Sequence, residues 1–71
     1  MADSKREKMK EVLEKLYIRK ILEAEVDKKI FTRQIIAGIP NKELDTYGKA
    51  VKNCEIVIKL LKERIEVLKN L

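Results

Sequence analysis

Hydrophobic residues repeat most regularly in the second half of the chain. Leu44, Tyr47, Val51, Cys54, Ile58, Leu61, Ile65 and Leu68 step by three and four residues without a miss. This is the a/d spacing of a helix that keeps one apolar stripe against a partner helix, and here it is sustained over about four heptads with no charge in the stripe. Asn41 is placed to cap that helix, with Glu43 and Asp45 in its first turn, where the helix dipole favours acids. Lys62, Arg64 and Lys69 lie towards the other end. The pattern predicts a helix over about 41–70.

The first half predicts a second helix. Ser4 and Glu7 have the Ser-x-x-Glu spacing of a capping box, so Met1 to Asp3 are expected to fray ahead of it. No Gly or Pro interrupts the chain before Gly38. Gly38 can adopt the left-handed conformation that closes a helix, and Pro40 prevents its continuation, so the helix is expected over about 4–37. Arg33 in its last turns suits the negative end of the dipole. Two helices of similar length joined by a short turn predict an all-α antiparallel helical hairpin, a single domain over 1–71.

The first helix is less regular. Met9, Val12, Leu13, Leu16 and Tyr17 gather on one face, and continuing that face brings in Lys20, Glu23 and Asp27. Ile18, Ile21, Leu22 and Val26 lie on another side. Either the helix breaks near Val26 to Lys29, or it stays straight and is covered on more than one side by an oligomer. The matched helix lengths favour the second. The second helix agrees, because behind its seam runs a further apolar ridge of Ile56, Leu60 and Val67, with Val57 at its shoulder. A helix that is apolar on two faces is buried on two faces. The candidate oligomer or partner interface is therefore Ile18, Ile21, Leu22, Val26, Ile56, Leu60 and Val67. The expected assembly is a homodimeric four-helix bundle or a larger helical oligomer.

Size and composition narrow the function. A chain of 71 residues has a marginal core, and its single cysteine allows no internal disulfide. With no histidine it has no Cys/His zinc set, and it lacks a Ser-x-x-Lys motif and a glycine-rich phosphate loop. Its two glycines, Gly38 and Gly48, stand apart; Gly48 within the second helix marks a close approach, a bend or a neutral surface position. Glu23 and Asp27 share a helix face, but a carboxylate pair beside Lys20 reads as a solvated or salt-bridged surface. No catalytic residue, metal site or cofactor is expected. Neither a signal peptide nor a membrane span of about 20 apolar residues is recognisable. Cys54, unpaired in a seam, reads as a small buried hydrophobe in a reducing, cytoplasmic protein.

Charge adds an alternative. Lys and Arg number 17 against 12 Asp and Glu, a net charge of +5. Lys28, Lys29, Arg33, Lys42, Lys49 and Lys52 face only Glu43 and Asp45 between positions 28 and 52, and in a hairpin this stretch is the turn end. A basic tip beside free helix N-terminal amides can hold phosphates. Tyr17 next to Arg19 and Lys20 can stack a base or hold a small anion. A helix-turn-helix is disfavoured, because the second helix has already committed its apolar face to a seam. The leading expectation is a small non-enzymatic interaction protein, a regulator, inhibitor or adaptor, that self-associates and binds a protein partner. The alternatives are a nucleic-acid-binding regulator using the basic turn end and an oligomeric binder of a small anionic ligand.

Overall fold

The described residues, 2–71 with side chains from residue 4 onward, form two helices in the computed structural model. Helix α1 spans Ala2–Ala37 and helix α2 spans Asn41–Lys69. They lie antiparallel in a rod of 58 × 15 × 12 Å. The 36 residues of α1 account for about 54 Å of that length at 1.5 Å per residue.

The turn is built by glycine and proline. Gly38 has φ +96°, which only glycine adopts at little cost, and its N–H donates to the Ile35 carbonyl at 3.3 Å. Pro40 then occupies the N-cap of α2 with φ −55° and ψ 142°, without a side-chain cap. Asn41, expected to cap, is instead the first helical residue. Pro40 has no N–H to satisfy, and its carbonyl already accepts the Glu43 N–H at 2.8 Å. The amides at this end are thus not all free for an anion.

The start of α1 also differs from expectation. The helix is already formed at Ala2, so Ser4 lies within it rather than at its cap, and Met1 lies outside the described residues. Alanine is the best helix former, and adding a residue to a formed helix is far easier than starting one. At its middle α1 does not break: it is one helix through Val26 to Lys29. Thr32 remains helical with its hydroxyl donating to the Lys28 carbonyl at 2.7 Å.

Three contacts set the register. Near the turn the rings of Phe31 and Tyr47 meet edge to face at 5.9 Å. Further along, the Lys28 ammonium lies 3.1 Å from Glu55. At the far end Lys10 donates to the backbone oxygen of Leu71 at 2.9 Å. Lys10 already meets the last residue of the chain, so residues 2–9, about two turns of helix, overhang the end of α2. The two helices are therefore less closely matched than their spacing from the turn implied.

The core is a single seam. On α2 it is the predicted one: Leu61 is 5% exposed, and Tyr47, Val51, Cys54, Ile58, Ile65 and Leu68 are half-buried. Leu44, beside the turn, is exposed. On α1 the seam runs through Lys10, Leu13, Glu14, Tyr17, Ile21, Ala24, Lys28, Phe31 and Ile35, all buried or half-buried. Its spacing is as regular as that of α2, so the α1 stripe does not shift round the helix. The residues expected to begin that stripe, Met9, Val12 and Leu16, are exposed.

Candidate interaction surface

The two seams divide the remaining surface of the hairpin into two broad faces. Residues just beside the seam on α1 meet their counterparts on α2, and the grooves between the helices show which belong together. One groove is lined by Leu13, Tyr17, Leu60, Val67, Leu68 and Leu71, with Glu63 and Arg64. A second continues it past the end of α2, between Met9, Leu13, Leu68 and Leu71, with Lys5, Arg6 and Lys10 at its border. This is the apolar face. On the opposite side the grooves are lined by Glu25, Lys28, Lys29, Thr32, Arg33 and Lys62 with Val26, Ile30 and Ile58, and by Glu55, Lys59, Lys62, Glu63 and Glu66 with Ile58 and Ile65. That face carries the larger share of charged side chains and is the charged face.

The seven candidate interface residues do not fall on one surface. Ile21 is corrected outright: at 9% exposed it is part of the core between α1 and α2, and its own hairpin already covers it. Leu60 and Val67 lie on the apolar face and are exposed. Ile18 and Leu22 lie towards the charged face by their helical positions, and Val26 and Ile56 sit on the outer edges of the rod; all four are exposed. Sequence reasoning missed Met9, Leu13 and Leu71 as members of the apolar face. The signal was available: counting back from Ile35 and Phe31 in steps of three and four gives the α1 seam, provided Ala24, Lys28 and Lys10 are accepted in it. Long lysine side chains can occupy such positions by laying their stems along the seam and keeping their ammonium groups in water.

The basic cluster is reduced by pairing. Lys28 is engaged with Glu55, and Lys49 lies 3.6 Å from Asp45 one turn away. Lys29, Arg33, Lys42 and Lys52 are exposed and form no ion pair among the described residues. Lys28, Lys29 and Arg33 border one groove, whereas Lys42, Lys49 and Lys52 do not join it. Tyr17 and Arg19 do not converge either. Tyr17 is half-buried in the groove with Leu13 and Leu60, while Arg19 borders a groove on the outer side of α1 with Leu22, Glu23, Val26 and Asp27. Lys20 is exposed.

Cys54 is a free, half-buried thiol in the seam. Gly48 does not permit a close helix approach within the hairpin, because a Cβ placed there meets nothing within 4 Å. Among the described residues no group of three or more His, Cys, Asp or Glu could hold a metal ion, and no helix is long and apolar enough to cross a membrane. Compared with protein-family models, with curated proteins and with solved structures, the chain gives no match.

Proposed function

We propose that the chain is a non-enzymatic helical interaction protein, which self-associates and presents the assembled helices to a protein partner. The observation that carries this reading is the contrast between its core and its surface. Among the described residues only Ile21, Ala24 and Leu61 are buried, and no side chain is fully enclosed. Leu60 at 49%, Ile56 and Val26 at 55%, and Val67 at 62% stay exposed beside them. Burying one such side chain fully is worth about 1.5–3 kcal/mol, so a few of them covered together would rival the stability of a small domain. These side chains are already about half covered, so a second helical surface would add part of that value for each. A regulator, inhibitor or adaptor works by such association, and the free thiol of Cys54 suits a reducing, cytoplasmic setting.

The test is the mass of the protein in solution with Leu60→Asp as its control. Wild type is expected to sediment as an oligomer. Leu60→Asp is expected to keep its helical circular dichroism and fall towards the monomer mass, because Leu60 is exposed in the hairpin. A Leu60→Asp protein at the wild-type mass would contradict the reading.

A second reading rests on the unpaired Lys29, Arg33, Lys42 and Lys52 around the turn, which could bind nucleic acid. Fluorescence anisotropy with labelled single- and double-stranded oligonucleotides separates the two. Binding that collapses between low and moderate salt favours phosphate contacts with counterion release. No binding at low salt leaves the protein-partner reading alone.

A further inference from the structure

The apolar face is polarised in charge along the rod. By helical position, six charged side chains lie on it: Arg6, Lys20 and Arg64, then Glu23, Asp27 and Glu43; Lys5, Lys10 and Glu63 reach its grooves from the edges. The register set by Lys10 with Leu71 and Lys28 with Glu55 orders them along the axis. Arg6 lies on the overhang, and Arg64 on the terminal side of the midpoint. Lys20 and Glu23 flank the midpoint itself. Asp27 follows, and Glu43 stands beside the turn. The three bases therefore occupy the terminal half and these three acids the turn half, with Glu63 the one acid that reaches the terminal half from the edge. All six are exposed, and none is in an ion pair among the described residues.

A face with this polarity matches a copy of itself in only one sense. Stacked with like ends together, it sets Lys20 against Arg64 of the second copy. Turned end for end, it sets bases against acids along its length. We infer that the apolar face of this hairpin binds a second copy end for end, about a two-fold axis that crosses the rod near Leu60. The inference rests on the reading that the chain self-associates, and adds the face and the orientation. Leu60, level with the midpoint, lies near Leu60 of the second copy. Further along the axis each α1 lies against the other α1, where Lys20 of one copy meets Glu23 of the second and the contact is repeated by symmetry. Arg64 and Asp27 become neighbours further out, as do Arg6 and Glu43 at the ends.

The available area fits. A face of at most 58 by 15 Å, one helix wide over the overhang, offers up to about 900 Å² to the second copy, in the range of the ~800 Å² per partner of a standard stable interface. The two-fold axis lies near the middle of the rod, so the two faces overlap almost fully. The charged faces of both copies remain in water, and the two turn ends lie at opposite ends of the dimer.

Lys20→Glu and Glu23→Lys, separately and mixed, test the arrangement. Both positions are exposed, so circular dichroism is expected to show an unchanged hairpin. Each variant alone places like charges together twice and is expected to weaken dimerisation by about tenfold or more in sedimentation. Mixed in equal amounts, they are expected to form a heterodimer in native mass spectrometry, because each altered charge then meets its opposite. Tighter dimerisation of Lys20→Glu alone would overturn the inference in favour of like-ended stacking, where the new carboxylate meets Arg64. Wild-type oligomers indifferent to both substitutions would overturn the face while leaving self-association standing. A wild-type protein that stays monomeric at every concentration would overturn both.

Discussion

The two helices divide the work of packing unequally. α2 turns a continuous apolar stripe inward, with Leu61 the most buried residue in the hairpin. α1 answers it with a stripe that includes Lys10, Glu14 and Lys28, and leaves Leu22, Val26 and Ile30 in water. α2 therefore orients itself by its own pattern. α1 carries apolar residues on nearly every side, and its inward face is selected by the turn and by α2. The surplus left outside is the apolar surface on which the proposed self-association rests.

The largest effect is expected where α2 dominates. Leu61→Asp puts a charge at the most enclosed point of the seam, and the cost of burying it exceeds what so small a core can supply. Loss of the helical signal at 222 nm in circular dichroism is the expected outcome, in contrast to its exposed neighbour Leu60→Asp, which is expected to keep that signal.

Adjacent residues of α1 sharpen the comparison. Ile21→Ala empties a buried position and is expected to cost about 2 kcal/mol, at the low end for core truncations because the seam is thin. Leu22→Ala, one residue on and 55% exposed, is expected to change stability by about 0.5 kcal/mol or less. Chemical denaturation of both variants measures the difference. Equal losses would show that the charged side of α1 is covered as tightly as its seam.

The smallest effect concerns α2 away from the seam. Gly48→Ala is expected to stabilise the protein by up to about 1 kcal/mol, because it improves helix propensity where a Cβ meets nothing. A raised melting temperature confirms open space there. A loss of stability would contradict the open space around Gly48 in the hairpin.

Much of this was legible in the residues. The seam of α2 could be traced from Tyr47 to Leu68, and the turn followed from Gly38 and Pro40. The seam of α1 was harder to see. Its N-terminal apolar cluster of Met9, Val12 and Leu16 outcompetes the true positions, which include two lysines and a glutamate. Helical spacing identifies which residues share a face, and it does not rank one apolar face above another. The same limit applied to the candidate surface. Leu60 and Val67 belonged together, but Ile21 could not be separated from Ile18 and Leu22 without knowing which side of α1 meets α2. Cations counted along the chain as one group were likewise divided by Glu55 and Asp45, whose reach depends on the fold.

The sequence by itself determined two long helices, the place of their turn and the inward face of α2. Those follow from local rules: backbone conformations open to glycine and proline, and a heptad pattern strong enough to admit one solution. The tertiary structure alone decided the inward face of α1, the overhang beyond Leu71, and the division of the rod into an apolar and a charged side. Those depend on register between segments distant in sequence. Register is set by contacts such as Phe31 with Tyr47, Lys28 with Glu55 and Lys10 with Leu71, and neither helix specifies them alone.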